Sequence, residues 1–334
     1  MVLCFFGSAA DPHAAPVLDG FRTAAGAFDD QNAAFFGVSA EPADEAERRV
    51  EEVVPGYRYF WDFDRAVSAA YGVATGDGYR PHTFLLDTRL RVLGRWAFDG
   101  HPAEHVRSVL SALAAQPRIG PPVPAAAQAP VLIVPRIFEP DLCRTLIRYY
   151  DDRGGEDSGF MRDVGGKTVG IIDYGHKRRR DQEIDDEALR KVCMHRIHDR
   201  LGPEIFKAFQ FKATRMERYI VACYEATDGG HFRAHRDNTT LGTAHRRFAV
   251  SLILNTGEFD GGYVRFPEYG PHLYNAPAGG AVVFSCSLLH EATPVTRGRR
   301  YVFLPFLYDD AAAKVREENL KYVGNLNPQS PQGT

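Results

Sequence analysis

The order of hydrophobic patterns along the 334-residue chain predicts an α/β domain followed by an α+β domain. In the first third, short apolar runs typical of strands alternate with segments of helical periodicity. A stretch rich in proline and alanine interrupts this pattern. After it, helices come before a succession of short strands separated by glycine turns. We therefore expect domains over residues 1–116 and 131–334, joined by a linker over residues 117–130.

The first domain is a regular alternation of strands and helices. Val17, Phe21 and Phe28 recur at helical spacing in residues 16–28. The same periodicities predict strands at residues 2–6, 33–39, 58–61, 83–87 and 91–96, and helices at residues 42–53, 63–71 and 102–115. A βαβ unit followed by a ββα unit is the order of a thioredoxin-like fold, which we predict for this domain.

The linker reads PRIGPPVPAAAQAP and has no apolar period. Its prolines favour a semi-rigid connection. Beyond it, we expect a strand at residues 130–138, helices at 140–151 and 185–201, and strands at 217–226, 248–255, 262–266, 281–287 and 301–308. Turns such as Asp260-Gly261-Gly262 separate these strands. Helices followed by many short strands predict a helix-backed double-stranded β-helix, a form of jelly roll.

Two histidines and an aspartate in the second domain have the spacing of a metal site. His235 and Asp237 are separated by one residue, so an extended chain places both side chains on one face. His290 follows 53 residues after Asp237, and we expect it at the end of the apolar strand that begins at Ala281. Two imidazoles and one carboxylate on one face of a non-haem iron leave positions open for O2 and a bidentate 2-oxo acid.

Arg300, ten residues after His290, is the candidate anchor for the far carboxylate of that acid. A guanidinium is a planar group that binds a carboxylate through two parallel hydrogen bonds. Tyr224 could donate a phenolic hydrogen bond to the same acid. We expect substrate contacts from Arg247, near the start of a strand, and from Glu268, in a hairpin that borders the pocket.

The basic run Lys177, Arg178, Arg179 and Arg180 has two interpretations. It is typical of a solvated loop. A long polar segment of this kind can also contact an acidic substrate or close over an active site as a lid. The sequence leaves these alternatives open.

The second domain resembles the prolyl 4-hydroxylase-like branch of the Fe(II)/2-oxoglutarate dioxygenases. The likeness rests on CYEATDGGHFRAHRDNTT, RRFAVSLILN, FDGGYVRFPEYG, APAGGAVVFSCSLLHEATPVTRGRR and YVFLPFLYD. The resemblance assigns His235, Asp237 and His290 to Fe(II), and Arg300 to 2-oxoglutarate. It implies O2 as second cosubstrate, ascorbate as an auxiliary reductant, and succinate and CO2 as products. Many relatives have a serine two residues after the arginine, where this chain has Val302.

What the resemblance implies about the reaction is hydroxylation, because halogenating relatives replace the ligand carboxylate with a small residue and Asp237 retains it. The substrate stays open. It is either a small molecule such as a cyclic amino acid, or a prolyl or other residue of a protein or peptide, since one fold and one iron site serve many substrates.

The first domain resembles the peroxiredoxins through CFFGSAADPHAAPVLDGFR, FFGVSAEP, YFWDFDRAVSAAYGV and PHTFLLDTRLRVLGRW. Matching the helix that follows the peroxidatic cysteine of that family places Ala14 at its position. Cys4 lies in a buried strand without the cationic neighbours that activate a thiol. We therefore expect this domain to be non-catalytic. Whether it docks a protein substrate, forms a homodimer or supports a lid stays open.

Composition narrows the protein's class. The net charge is −3, so no global basic field favours nucleic acid. We expect no membrane span, no signal peptide and, from five scattered cysteines, a cytoplasmic protein with reduced thiols. Two rival functions remain at this level: a non-catalytic binding or scaffold protein, and a thiol peroxidase with an accessory domain.

Overall fold

The computed structural model describes residues 1–76, 78–118, 120–124 and 127–324. The chain divides into two compact units, one ending at Pro124 and the other beginning after it. The division falls within residues 117–130, which we interpret from the sequence as a linker. No helix among the described residues combines the length and the apolar character that crossing a bilayer requires.

The N-terminal unit is built on a mixed sheet with the strand order β3-β2-β1-β6-β7. Strands β1, β2 and β3 are parallel to one another. Strand β6 is antiparallel to both of its neighbours, β1 and β7. The strands are β1 (Val2–Gly7), β2 (Phe35–Ser39), β3 (Tyr57–Trp61), β4 (Ala74–Thr75), β5 (Gly78–Tyr79), β6 (His82–Leu86) and β7 (Val92–Ala97), and the helices are α1 (Ala15–Thr23), α2 (Pro42–Ala46), α3 (Ala66–Ala70) and α4 (Pro102–Ala114).

Strand β1 is buried on both faces of this sheet, because its residues alternate between two clusters. Cys4 and Phe6 pack into the cluster beneath α1 and α4, whereas Leu3 and Phe5 pack into the cluster on the other face. One predicted element is shorter than expected. Helix α2 ends at Ala46, not at residue 53, because Arg48 has a φ of 53° and the chain leaves the helical conformation there.

The C-terminal unit contains two main sheets. Within residues 127–324, the larger has nine strands, with the path β14-β25-β17-β24-β15-β13-β9 and with β21 and β8 joined through β17. The smaller has the order β12-β16-β22-β19-β20. The helices of this unit are α5 (Pro140–Asp151), α6 (Glu187–Arg196), α7 (Gly202–Phe209) and α8 (Asp310–Asn319).

The strands of this unit are mostly short and run from the first buried segment after the linker to the segment before α8. They are β8 (Leu132–Val134), β9 (Glu156–Asp157), β10 (Phe160–Val164), β11 (Lys167–Ile171), β12 (Lys177–Arg178), β13 (Arg180–Glu183), β14 (Arg215–Glu217), β15 (Ile220–Glu225), β16 (His231–His235), β17 (Phe248–Ile253), β18 (Asp260–Gly261), β19 (Val264–Arg265), β20 (Leu273–Tyr274), β21 (Ala281–Ser285), β22 (His290–Ala292), β23 (Val295–Arg297), β24 (Arg299–Phe303) and β25 (Phe306–Tyr308).

The larger sheet separates two hydrophobic cores. Val221 and Cys223 of β15 belong to the core that also contains residues of helices α5, α6 and α7. Their neighbours Ala222 and Tyr224 belong to the core shared with the smaller sheet. The two-residue period of a strand therefore decides which side chains face the helices and which face the smaller sheet. The functional residues described below lie on the second side.

The polar region between α5 and α6 is more ordered than the sequence indicates. Lys177 pairs with Phe232 of β16, and Arg180 pairs with Cys223 of β15, so the basic run contributes to both sheets. The interpretation of this run as a solvated loop is therefore wrong, whereas contact with an acidic substrate and closure as a lid stay predictions. The second predicted helix also differs, because it continues through a π-helical turn (Ile197–Leu201) into α7.

Candidate metal centre and its cavity

Two neighbouring strands bring together the three predicted ligands, His235, Asp237 and His290. His235 is the last residue of β16 and pairs with His290, the first residue of β22. The backbone N–H of Asp237 donates to the carbonyl of Cys286. Contrary to expectation, His290 does not end the strand that begins at Ala281. That strand stops at Ser285, and a turn carries the chain to the next sheet.

The three side chains form a candidate metal-ligand set. One ligand atom from each residue lies within 4.8 Å of the others. The Nε2 atoms of His235 and His290 lie 3.5 and 3.4 Å from the two carboxylate oxygens of Asp237. This arrangement is the facial group of two histidines and one carboxylate that non-haem Fe(II) prefers.

The orientation of both imidazoles is fixed by backbone carbonyls. Nδ1 of His235 lies 2.7 Å from the carbonyl oxygen of Arg233, and Nδ1 of His290 lies 3.0 Å from that of Leu288. A proton on Nδ1 satisfies each carbonyl and leaves the lone pair of Nε2 directed at Asp237 and the metal position. Hydrogen bonds of this kind select the tautomer that can bind a metal.

Burial and charge keep these groups in forms that bind metal. Burial lowers the pKa of His290 to about 4, against the opposing effect of Asp237, so its imidazole is neutral near pH 7. Burial alone would raise the pKa of Asp237, but His290 and His235 lower it well below its ordinary value. Phe232 stacks on His235 at 3.5 Å, and Phe284 lies 4.5 Å from His290, measured between ring centroids.

Arg300 is a buried cation with one unsatisfied hydrogen-bond donor among the described residues. It is 2 % exposed, and its Nη2 donates to the Ser251 hydroxyl at 2.9 Å. Its Nε atom is buried without a hydrogen-bond partner among the described residues. Burial lowers the pKa of Arg300 to about 10, so the group stays charged near pH 7. An unpaired buried donor on a cation is costly and fits an absent carboxylate.

Strand register explains why Tyr224 and Ser251 accompany Arg300. Tyr224 pairs directly with Arg300 across β15 and β24, and the guanidinium carbon lies 5.1 Å from the centre of the Tyr224 ring. Ser251 alternates with Val250 on β17 and faces the same side. Ser251 therefore supplies the hydroxyl that Val302 cannot. The only sequence signal for this role is the position of Ser251 in the two-residue alternation of β17.

One cavity of about 960 Å³ connects these groups. Its lining includes the three candidate ligands, Arg300 and Tyr224, as well as Ser251. Pockets that bind small molecules have volumes of roughly 300–1,000 Å³. The cavity is therefore large enough for a cosubstrate and at least part of a substrate.

The two predicted substrate residues lie elsewhere. Arg247 donates to the carbonyl of Ala244 and is not part of the cavity lining, whereas its neighbour Arg246 is. Glu268 forms an ion pair with Arg236 at 2.7 Å, accepts from the backbone N–H of Leu289 and also lies outside the lining. The structure thus places Arg246, not Arg247, at the cavity, and substrate contacts from Arg247 and Glu268 stay predictions.

The lining contains charged residues that the sequence did not single out. Arg179 is buried and binds both carboxylate oxygens of Asp181 at 2.6 Å. Arg218 donates to the same carboxylate at 3.1 Å. Lys177 is buried beside them and donates to the Ser158 hydroxyl. The sequence signal that could have predicted these positions is the two-residue alternation of a strand, because Lys177 and Arg179 are buried and Arg178 between them is exposed.

In the N-terminal unit, Ala14 and Cys4 are the residues that bear on the expected absence of a peroxidase centre. Ala14 caps α1 and is fully buried. Burial raises the pKa of the Cys4 thiol to about 12, despite the hydrogen bond from the Thr83 hydroxyl. A thiol with such a pKa is a small hydrophobic group rather than a nucleophile.

Comparison with known proteins agrees with both resemblances. Residues 219–308 match the model of the 2OG-Fe(II) oxygenase superfamily, and residues 1–93 match that of the AhpC/TSA family. A PKHD-type hydroxylase of Cupriavidus metallidurans is 35% identical over 94 residues, which are 25% of this chain and 41% of the relative. Another, of Nitrosomonas europaea, is 28% identical over 139 residues, which are 39% of this chain and 60% of the relative.

The chain thus spans about half the length of these curated relatives. A crystal structure of a Pseudomonas putida prolyl-4-hydroxylase covers 55% of this chain and 94% of its own, with 21% identity and a TM-score of 0.40. Fe(II), 2-oxoglutarate and O2 are the cofactors of the superfamily matched by residues 219–308, so their prediction is confirmed at that level. The chain thus combines a segment similar to the AhpC/TSA family, residues 1–93, with a segment similar to the 2OG-Fe(II) oxygenase superfamily, residues 219–308.

Proposed function

We propose that this protein is an Fe(II)- and 2-oxoglutarate-dependent dioxygenase that hydroxylates its substrate. One observation carries the proposal: two correctly oriented imidazoles and a carboxylate share a cavity with a buried arginine whose Nε has no described partner. The donor set suits Fe(II), and the unpaired Nε donor of Arg300 suits a dicarboxylic cosubstrate. The hydroxylase names of the relatives support the same reaction class.

Each residue has a defined role in this proposal. His235, Asp237 and His290 hold the metal through Nε2, a carboxylate oxygen and Nε2. Arg300 binds the far carboxylate of 2-oxoglutarate, with Ser251 fixing the guanidinium and Tyr224 beneath it. We assign the fold that carries them to the double-stranded β-helix, in which strands from two facing sheets position a central site.

The bound metal and cosubstrate supply the activation of O2 and the oxidation of a C–H bond, with succinate and CO2 as products. The chain itself contributes positioning and the exclusion of water. Phe232 covers the face of His235, and Phe284 and Phe266 lie against His290, at 4.5 and 6.3 Å between ring centroids. These aromatic rings leave the ligand atoms open mainly toward the cavity.

The test is to soak crystals with Mn(II) and 2-oxoglutarate and to measure Fe(II)-dependent succinate formation in solution. We expect metal density among His235, Asp237 and His290, and a carboxylate at Arg300. Asp237→Ala should abolish both metal binding and succinate formation. Arg300→Gln should weaken 2-oxoglutarate binding at least roughly tenfold, about 1.4 kcal/mol, while metal binding is retained.

The exposed Arg178→Met variant provides the control and should behave like the unchanged protein, because Arg178 does not line the cavity. Metal density outside the three ligands would overturn the proposal. So would succinate formation that survives the loss of Asp237.

A further inference from the structure

The buried part of the cavity holds more positive charge than the metal and the cosubstrate account for. Leaving aside Arg236, which is paired with Glu268, its lining has four arginines (Arg179, Arg218, Arg246 and Arg300) and three carboxylates (Asp181, Glu217 and Asp237). Lys177 is not counted, because burial lowers the pKa of its amine well below the ordinary value. The exposed part of the lining has Glu156, Asp157, Glu183 and Arg316. A divalent metal and dianionic 2-oxoglutarate cancel each other, so the excess of positive charge persists when both are bound.

The excess is located chiefly at Arg218. Asp181 already receives two hydrogen bonds from Arg179 and one from the Ser158 hydroxyl, so Arg218 is its fourth donor. Asp181 is the one described side chain that accepts a hydrogen bond from Arg218. The Arg218 side chain keeps 29 % of its surface exposed and lines the cavity. A guanidinium has five N–H donors, and only one hydrogen bond from Arg218 is found among the described residues, so the group can bind a further acceptor in the cavity.

Arg246 lies on the same aromatic ring as Arg218. The guanidinium carbon of Arg246 is 4.0 Å from the centre of the Phe306 ring, and that of Arg218 is 5.4 Å from it. Arg246 also donates to Glu217 and, at 3.5 Å, to the backbone carbonyl of Asp237. The two guanidinium groups and the ring thus form a cationic wall that reaches a metal ligand.

This wall is separate from the cosubstrate anchor. Tyr224, which pairs with Arg300, comes six residues after Arg218. In an extended chain this separation is on the order of 20 Å, although Arg218 itself has a left-handed φ of 64° just before β15. Arg179 links the two groups, because it shares Asp181 with Arg218 and donates to the Tyr224 hydroxyl at 3.4 Å. Among the described residues no hydrogen bond joins Arg218 itself to Tyr224 or Arg300, so a diacid held by Arg300 does not require Arg218.

We propose that Arg218 and Arg246, which both contact the Phe306 ring, bind a carboxylate of the substrate. The inference rests on the proposed dioxygenase function and narrows its substrate to one that carries a carboxylate near the oxidised carbon. That carboxylate belongs either to a small acid or to an acidic residue of a peptide. Arg218 is the main specificity residue, because Arg246 already serves Glu217 and Asp237.

The proposal can be tested with acetate as a minimal carboxylate and acetamide as its uncharged counterpart. Saturation transfer from the protein to the methyl protons reports binding with or without metal, and the comparison is made in an Arg300→Gln background so that the cosubstrate anchor does not bind acetate. We expect a signal from acetate and none from acetamide, and at least a fivefold loss of the acetate signal in Arg218→Met. Arg218→Lys should retain part of it, and Arg178→Met should retain all of it.

Metal and cosubstrate binding are read separately. With Mn(II) and saturating 2-oxoglutarate, the bound acetate should show additional paramagnetic broadening, because the wall reaches Asp237. Absence of Mn(II) binding would remove the proposed dioxygenase function without affecting the first signal. An acetate signal that survives in Arg218→Met, or an equal signal from acetamide, would overturn the carboxylate site.

The source of the carboxylate is decided by displacement of acetate. N-Acetyl-L-proline, a probe for a small acid, carries the carboxylate on the proline itself, and N-acetyl-aspartyl-prolinamide, a probe for a peptide, carries it on a neighbouring side chain. Displacement by the first but not by its amide assigns a small acid. Displacement by the second but not by its asparaginyl analogue assigns an acidic peptide. If neither acid displaces acetate, the assignment of this site to the substrate is wrong.

Discussion

A single glycine controls the space around Arg300. A Cβ atom on Gly262 would lie 2.6 Å from Cδ of Arg300 and 2.8 Å from Cγ2 of Val295. The φ of Gly262 is 64°, which L-residues with side chains adopt only at a cost. Arg300 is buried, so its aliphatic stem cannot swing away without moving the guanidinium. The position of Arg300, the proposed cosubstrate anchor, therefore depends on a residue that donates no hydrogen bond to it.

We predict that Gly262→Ala raises the Kd for 2-oxoglutarate roughly tenfold, which corresponds to about 1.4 kcal/mol. Gly229→Ala is the matched control, because Gly229 has a φ of 61° and a Cβ atom added to it would meet nothing within 4 Å. Both variants should lose about 1 kcal/mol of unfolding free energy to backbone strain. Titration of the Mn(II)-loaded proteins with 2-oxoglutarate measures the difference, and equal affinities would contradict the steric explanation.

At the level of elements, alternation in β12 and β13 decides which basic residues are structural. Arg179 binds both oxygens of Asp181, and its side chain is 4 % exposed. Arg180 lies 3.8 Å from Asp157 with its side chain 49 % exposed. Breaking a buried pair leaves an uncompensated charge, whereas an exposed pair contributes little.

Arg179→Met should therefore lower the free energy of unfolding by about 3 kcal/mol. Arg180→Met should change it by less than about 1 kcal/mol. Urea denaturation of the two variants measures both values. A loss in Arg180→Met as large as that in Arg179→Met would show that the alternation does not govern stability here.

The same elements show what the sequence could and could not predict. The period of two along β15, β17 and β24 is visible in the sequence, so the cavity positions of Tyr224 and Arg300 could be predicted. The pairing of Asp181 with Arg179 and Arg218 could not, because Arg218 and Asp181 are far apart in sequence and meet only through the register of β13 and β15. The cavity position of Arg246 could not be predicted either, because Arg246 lies in the turn before β17, where neither helical nor strand periodicity indicates which way a side chain points.

At the scale of the whole molecule, the two units differ in the reactive groups that they carry. The C-terminal unit has the candidate metal centre. All five cysteines of the chain are buried, including Cys4 of the N-terminal unit. Burial raises the pKa of Cys4, Cys193 and Cys223 to about 12 and that of Cys143 to about 11. With a pKa near 12, about one thiol in 10⁴ is ionised at pH 8.

We predict that the folded protein does not turn over hydrogen peroxide with a thiol reductant. We also expect that its thiols react with Ellman's reagent only after denaturation, when all five become accessible. Peroxide consumption and thiol counts measure the two expectations. Activity that is lost in Cys4→Ser would instead revive the interpretation of the N-terminal unit as a thiol peroxidase.

The pairing of His235 with His290 has a consequence for folding. These residues lie 55 positions apart, and a metal bound to both closes that stretch of chain into a loop. A metal that binds the folded unit and not the unfolded chain stabilises the folded unit, by about 2.7 kcal/mol when its concentration is 100 times its Kd. Chelation should therefore lower the melting temperature of the C-terminal unit, and His290→Ala should make that temperature insensitive to the metal. Supply of iron would then regulate how long the protein survives as well as how fast it works.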